Sequence, residues 1–430
     1  MEKGVDSAPV GWENSSPDRG AYQPIVSSGR ILFLVSNFYP DMGAGSFRNT
    51  PLARELAARY SGRVDVVTTL PSRYKSYSQE AKQQEVMDGL HIHRCKVPAH
   101  SGGMLDTLRT YWTYFKTARS LSKGHSYDLV YASSSKLLTA FLGATIARRA
   151  KSPLYIDIRD IFVESIGDVM EGNKLKATVF HWLVLPFIRQ MERYTFRTAV
   201  HVNLVSGGFR SYFEPKYGKK FSYFTNGVDE VFIEAGKESE PTNNDPPVLL
   251  YAGNFGGGQG LDAVIPEFAQ QAGDRVKIRL IGDGSTKQAL LEKIQKRSLR
   301  NVEVLPPVGR DALIKAYKEA DILFVHLNDL DAFKRVLPSK IFEYGALNKR
   351  VLAGVGGYCA ELLKADMDHM QLFPPCDANA MYEAFERLVA DTDRIDRKEF
   401  IRKYRRKTIT EQLAAEVLSH ARGAGNKHDQ

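Results

Sequence analysis

The sequence predicts an α/β chain built from two doubly wound lobes that face one another across a cleft. Three observations carry that prediction. Short apolar runs alternate with helical patterns, the mark of parallel-sheet units, and the alternation occurs twice, within residues 30–206 and again within 247–355. Between the two series, "EAGKESEPTNNDPP" (234–247) is polar and rich in Pro, Asn and Glu, as a connector between domains should be. The length of 430 residues accommodates both lobes, since domains run at about 100–200 residues each.

Taken in order, residues 1–28 lack the apolar core of a secretory signal and read as a disordered tail. The first series of strands is "RILFLVS" (30–36), "RVDVVTT" (63–69), "LHIHRCKV" (90–97), "LVYASS" (129–134), "PLYIDI" (153–158) and "AVHVNLVS" (199–206). The second is "PVLLYAG" (247–253), "VKIRLIG" (276–282), "VEVLP" (302–306), "DILFVHL" (321–327) and "RVLAGV" (350–355). The domains that follow are 29–215 and 247–395, joined by a linker at 216–246. A basic helix at 396–422 follows without another strand and is placed to fold back on the first domain, ahead of a tail at 423–430.

Composition narrows the function. Hydrophobic residues make up 43% and charged residues 25%, which fits a globular chain and excludes fibrous or disordered classes. The net charge of +9 and pI near 9.2 point to an anionic partner. No zinc, RRM-like or helix-turn-helix pattern accompanies that charge, so nucleic acid is not expected. Cys95, Cys359 and Cys376 are too scattered for a disulfide framework or a zinc site and suit a reducing cytoplasm.

No run is long and apolar enough to span a bilayer; "TVFHWLVLPFI" (178–188) is too short. Two stretches, 104–124 and 174–199, interleave aromatic residues with Lys and Arg. They read either as interfacial helices, with aromatics in the lipid boundary and cations on anionic head groups, or as amphipathic helices packed on a core.

Three strand-to-helix turns carry candidate chemistry. "NFYPDMGAGSFR" (37–48) places Gly43 and Gly45 where backbone N–H groups can approach an anion, with Arg48 at the position that breaks a dinucleotide fingerprint. A plain Gly-rich turn is the alternative. The second lobe repeats the arrangement in "YAGNFGGGQGLDAVI" (251–265) and in "LIGDGSTKQALLEKI" (280–294), where Gly282 ends a strand and Ser285 caps a helix or meets a ligand.

The third turn is "RVLPSKIFEYGALNKRVLAG" (335–354). With Pro338 at the start of the last long helix, Ser339 and Lys340 fall in its first turn, where free N–H groups favour a phosphate. Glu343 lies one turn on, able to accept hydrogen bonds from the vicinal hydroxyls of a ribose. A surface Lys340–Glu343 ion pair is the plainer alternative. The pairs Asp329/Asp331, Asp366/Asp368 and Asp391/Asp393 are too short and misplaced to be metal ligands.

"FYPDMGAGSFR", "YIDIRDIFVESI", "NLVSGGFRSYF", "FTNGVDEVF", "YAGNFGGGQGLD", "LIGDGSTKQALLE" and "FKRVLPSKIFEYGALNKRVLAG" occur in one order over about residues 30–390. In that order they resemble the motifs of family 4 glycosyltransferases, in particular the branch acting on amino and deoxy sugars of bacterial surface polysaccharides. The resemblance implies a GT-B fold, transfer with retention of anomeric configuration, and no obligatory metal or cofactor. It assigns the ribose to Glu343, the diphosphate to Ser339 and Lys340, the phosphate side of the cleft to Gly43 and Gly45, and the base to Val308. Asp157, Arg159 and Asp160 would face the reacting sugar as the catalytic group.

Two departures mark this chain. Arg335 stands where the wider family usually has an acid, and Asn254 and Gln259 where it commonly has an Arg and a Lys. Arg48 and Lys340 are left to meet the diphosphate beside Asn254, Gln259 and Gly282, with Lys334 and Arg335 toward the donor sugar. The combined expectation is a transferase moving a hexosyl unit from a UDP-sugar to a lipid-linked glycan at the cytoplasmic face of the inner membrane. A nucleotide-sugar epimerase of the same fold and a catalytically silent nucleotide-binding subunit are the alternatives.

Overall fold

The computed structural model describes residues 29–41, 43–71, 81–97, 104–134, 137–163, 182, 184–218, 221–238 and 242–422. The tails expected at 1–28 and 423–430 lie outside the described residues, as does most of 164–183 with the start of the second aromatic-basic stretch.

The first lobe is an eight-stranded sheet in the order β3-β4-β2-β1-β5-β6-β7-β8. Its strands are β1 (Arg30–Leu34), β2 (Arg63–Thr69), β3 (Gln84–Met87), β4 (Leu90–Cys95), β5 (Leu129–Ser134), β6 (Leu154–Ile158), β7 (His201–Leu204) and β8 (Phe221–Ser222). All neighbours are parallel except β3 and β4. Parallel strands are covered on both faces, which is why β5 and β6 are buried at every position. The helices are α1 (Ala44–Arg59), α2 (Met104–Leu121), α3 (Leu137–Ala150), α4 (Leu185–Thr198) and α5 (Arg210–Tyr217).

The linker expected at 216–246 is not wholly a linker. It holds α6 (Glu230–Lys237), whose Phe232, Ile233 and Ala235 are buried in the core of the second lobe. That lobe is a parallel sheet in the order β11-β10-β9-β12-β13-β14. It comprises β9 (Val248–Asn254), β10 (Lys277–Asp283), β11 (Val302–Leu305), β12 (Ile322–His326), β13 (Arg350–Gly354) and β14 (Met370–Phe373). Its helices are α7 (Leu261–Ala272), α8 (Lys287–Lys296), α9 (Arg310–Glu319), α10 (Lys340–Tyr344), α11 (Gly357–Asp366) and α12 (Ala378–Ala390).

In each sheet the strand order reverses once beside its first strand, between β1 and β5 and between β9 and β12. A crevice opens at the carboxyl ends of the strands at such a switch point.

The last basic segment is two helices, α13 (Lys398–Tyr404) and α14 (Arg406–Ser419). They part at Arg405, which is extended because Val228 inserts its backbone there: Val228 N–H donates to Tyr404 O (2.7 Å) and Arg406 N–H to Val228 O (2.9 Å). α13 stays on the second lobe, with Phe400 and Tyr404 in its core. α14 crosses to the first, where Leu413, Ala414 and Val417 pack with Leu52 and Leu56 of α1. Among the described residues no helix is long and apolar enough to cross a membrane.

Candidate active site

On the second lobe the site is organised by the end of β9. Gly253 has φ +156°, and an added Cβ would sit 2.6 Å from the Lys340 ammonium nitrogen and 2.5 Å from its Cε. The lysine chain therefore lies across the glycine, with its ammonium 5.7 Å from the centroid of the Tyr251 ring. Among the described residues Lys340 has no hydrogen bond or salt bridge, and burial pushes its pKa down against the pull of Glu343. A half-buried cation without a partner among the described residues is stabilised when an anion arrives.

Glu343 follows on the same short helix. Tyr317 of α9 donates to its Oε2 (3.0 Å), and burial pushes the carboxyl up while Lys340 and Tyr317 pull it down. The surface ion pair considered from the sequence is thus replaced by two half-buried groups with no salt bridge between them. The expected long helix is also corrected. α10 spans only Lys340–Tyr344, with Ser339 as its cap residue and Pro338 before it. Ser339 stays beside Lys340 at this turn, half-buried.

Other positions named from the sequence separate here. Val308, 40% exposed, lies just before α9. Asn254 donates to Gln259 Oε1 (2.8 Å), which also accepts from Gly256 N–H (3.2 Å). The two side chains form a neutral turn closed on itself. Gly282 is a packing residue: its Cβ would lie 1.8 Å from Gly253 O, the residue it pairs with across β9 and β10.

His326 fastens that turn. It is 1% exposed, its Nδ1 donates to Gln259 O (2.6 Å), and its Nε2 accepts from Cys376 N–H (2.9 Å). These partners require the neutral ring, and burial lowers its pKa to about 4. Because the unfolded chain takes up the proton near pH 6.5, this stabilisation is full above that value and is lost as pH falls toward 4. His326→Phe should flatten the fall in unfolding free energy between pH 7 and pH 4.5 by about 2 kcal/mol, read from urea titrations of both proteins at those two pH values. An equal fall in the two proteins would contradict this role.

On the first lobe, Gly43 caps α1 in an extended conformation. A Cβ on Gly45 would lie 2.8 Å from Arg159 Nη1, so the guanidinium rests against the start of α1. Burial pushes the Arg159 pKa down although Asp157 pulls it up, and its Nε has no hydrogen-bond partner among the described residues. Asp160 follows, half-buried at the carboxyl edge of β6.

Asp157 and Arg48 correct the sequence expectation. Asp157 is 0% exposed, and its carboxylate accepts from Arg48 Nε and Nη2 (both 2.9 Å), Asn203 Nδ2 (2.7 Å) and Ser133 Oγ (3.1 Å). Arg48 also donates to Thr225 O and Phe224 O (both 2.8 Å). Burial alone would raise the Asp157 pKa, and Arg48 outweighs it to hold the carboxyl below the usual range. The Asp157 carboxylate is filled and Arg48 spends four of its five N–H donors within the protein; together they lock α1 onto β6 and β7.

Lys334 and Arg335 both line a cavity between the lobes, with Gly207, Gly208 and Tyr358. Lys334 pairs with Asp331 on the surface (2.6 Å). Arg335 turns to the seam between lobes, where its Nε donates to Ser211 Oγ (3.2 Å) and its carbonyl accepts from Ser206 Oγ (2.6 Å). Asp331, Asp366 and Asp391 are engaged by Lys334, Lys403 and His369 rather than grouped with one another. Sequence reasoning missed Tyr317 and Arg310. Arg310 lies 5.0 Å from the ring centroid of Phe47 in α1, binds Asp229 (2.8 Å), and brings the two lobes together beside Glu343.

Comparison with known proteins agrees with this geometry. Residues 45–220 match the Glycosyl transferase 4-like domain and 232–407 the Glycosyl transferases group 1 model. A putative colanic acid biosynthesis glycosyl transferase of Escherichia coli K12 is 30% identical over 166 residues, 38% of this chain. That match spans 39% of the relative's own length.

Among solved structures, HepE of Anabaena in complex with UDP and glucose has a TM-score of 0.62 at 18% identity, covering 91% of this chain and 99% of that one. WaaG, a glycosyltransferase involved in lipopolysaccharide biosynthesis, has a TM-score of 0.58 at 16% identity, covering 91% and 100%. At such identities the likeness is one of fold. With both lobes matched in chain order, the chain belongs to the family 4 glycosyltransferases and has their GT-B fold.

Proposed function

We propose that this chain moves a hexosyl unit, an amino or deoxy sugar, from a UDP-sugar to a lipid-linked glycan of a surface polysaccharide, with retention of configuration and without a metal in the transfer step. The observation that carries the proposal is the Lys340 ammonium, without a partner among the described residues, lying across Gly253, one helical turn from Glu343. In this reading Glu343 accepts the ribose hydroxyls, and the base lies toward Val308. Lys340 meets the diphosphate, whose charge grows as the glycosidic bond breaks, so its interaction is stronger in the transition state than in the ground state.

Across the cleft, Arg159 and Asp160 face the sugar, and the first turn of α1 at Gly43 and Gly45 closes the phosphate side. Asp157 and Arg48 are positioning residues that hold that turn in place. The names of the relatives, colanic acid and lipopolysaccharide transferases, support a surface glycan as product.

Sugar release from UDP-hexoses in the presence of a polyprenyl-diphosphate-linked glycan tests the activity. Transfer should occur, and Glu343→Gln should raise the donor KM by about tenfold or more, the loss of a hydrogen bond to a charged group being about 1.5–3 kcal/mol. Turnover of the donor without acceptor would favour an epimerase, and UDP binding without turnover a silent subunit.

The membrane side of the proposal rests on the first lobe. α2 exposes Leu108 (52%) and Trp112 (58%), with the Lys116 ammonium 5.1 Å from the Trp112 ring centroid. Trp182 (74%) and Phe187 (65%) are exposed beside Arg189 and Arg193 at and within α4, and both helices flank α3. Binding to vesicles containing anionic lipid should fall at least about tenfold in a Trp112→Ser/Phe187→Ser variant, since burying such a side chain stabilises by about 1.5–3 kcal/mol. Unchanged sedimentation with vesicles would count against this surface.

A further inference from the structure

At the end of the first sheet away from the cleft, three metal-ligand side chains converge. His201 opens β7, while Glu416 lies on α14 and His420, four residues on, caps its C-terminal end in helical conformation, so the two share one side of the helix. Their donor atoms all lie within 4.8 Å of one another. Glu416 Oε1 is 3.3 Å from His201 Nε2 and 3.6 Å from His420 Nε2. Zinc bonds of about 2.0–2.1 Å place adjacent ligand atoms of a tetrahedron about 3.3–3.5 Å apart, so both measured edges fit an ion between them.

The surroundings suit the same use. The two imidazoles stack at 4.6 Å, and the Tyr155 ring lies 5.2 Å from His201 and 5.8 Å from His420. Bringing both Nε2 lone pairs onto one ion takes rotation of the His420 ring, whose side chain is 29% exposed, and that open edge leaves room for water as a fourth ligand. Ser222 Oγ lies 3.1 Å from His201 Nε2 and donates to Asn203 Oδ1 (3.2 Å), so the Ser222 contact is one that an ion on Nε2 would displace.

We propose that His201, Glu416 and His420 bind one divalent transition-metal ion of the zinc class, which latches α14 to the first sheet. Two imidazoles and a carboxylate suit zinc or cobalt rather than calcium or magnesium. The ion acts on stability and on the placement of the lobes, not in sugar transfer. α14 is the return of the chain from the second lobe, so an ion here fixes where that crossing sits on the first.

The test uses the untagged full-length chain, stripped with chelator and dialysed, then titrated with Zn²⁺ and Co²⁺. The expected results are one ion bound per chain, a visible ligand-field band with Co²⁺, and an unfolding midpoint that rises with ion concentration. His420→Gln and Glu416→Gln, both at partly exposed positions, should each weaken binding at least about 100-fold and abolish the shift. Absence of stoichiometric binding, or binding retained by both variants, would overturn the proposal and leave the three residues as a hydrogen-bonded cluster.

Discussion

Replacing Lys340 by methionine is expected to lower the rate of sugar transfer by about 10²–10³-fold, the effect of removing one charge-stabilising donor from a transition state. The ligand-free protein should unfold at the same or a higher temperature. This unusual pairing follows from the geometry: Lys340 is half-buried, burial pushes its pKa down, and it has no hydrogen bond or salt bridge among the described residues. In the empty protein it costs free energy, and methionine fills the same space over Gly253 without that cost. A drop in the unfolding midpoint matching the loss of activity would instead make Lys340 a structural residue.

Asp157→Ala should show the opposite pattern. Removing one member of a buried ion pair costs about 3–5 kcal/mol, because Arg48 keeps a charge at 5% exposure with only two backbone carbonyls for company. Rates measured on the folded fraction in the cold should stay within about tenfold of wild type, where loss of a transition-state group would remove about 10²–10³. The double variant Arg48→Met/Asp157→Leu should recover part of the lost stability, since an apolar pair avoids the unpaired charge. A cold, folded Asp157→Ala protein without activity would return Asp157 to the catalytic group.

The contrast between these residues shows how far the sequence could be read. β1, β2 and β5 were legible as buried apolar runs, and β9 to β13 by the same sign. β3 ("QEVM") and β14 ("MQLF") were not, because an edge strand needs neither length nor a continuous apolar face. α6 was hidden in a polar stretch because only three of its side chains seal the second core.

In the site, Lys340 and Glu343 could be found because both lie in one turn of chain. The Arg48–Asp157 pair spans 109 residues, and nothing local tells a buried arginine from one that meets phosphate. The position of Asp157 at the end of a strand pointed to the cleft, whereas its side chain turns into the sheet beside Ser133 and Asn203. Arg310 and Tyr317 went unnoticed for the same reason: their importance comes from partners on another element, Phe47 and Glu343.

The central claim is that Lys340 and Glu343 form a nucleotide-diphosphate site. Calorimetric titration of wild-type and Lys340→Met protein with UDP and with uridine tests it most directly. UDP should bind wild type more tightly than uridine, and Lys340→Met should weaken UDP by at least about tenfold, one charge-assisted contact, while leaving uridine unchanged. Equal UDP affinity in the two proteins would contradict it.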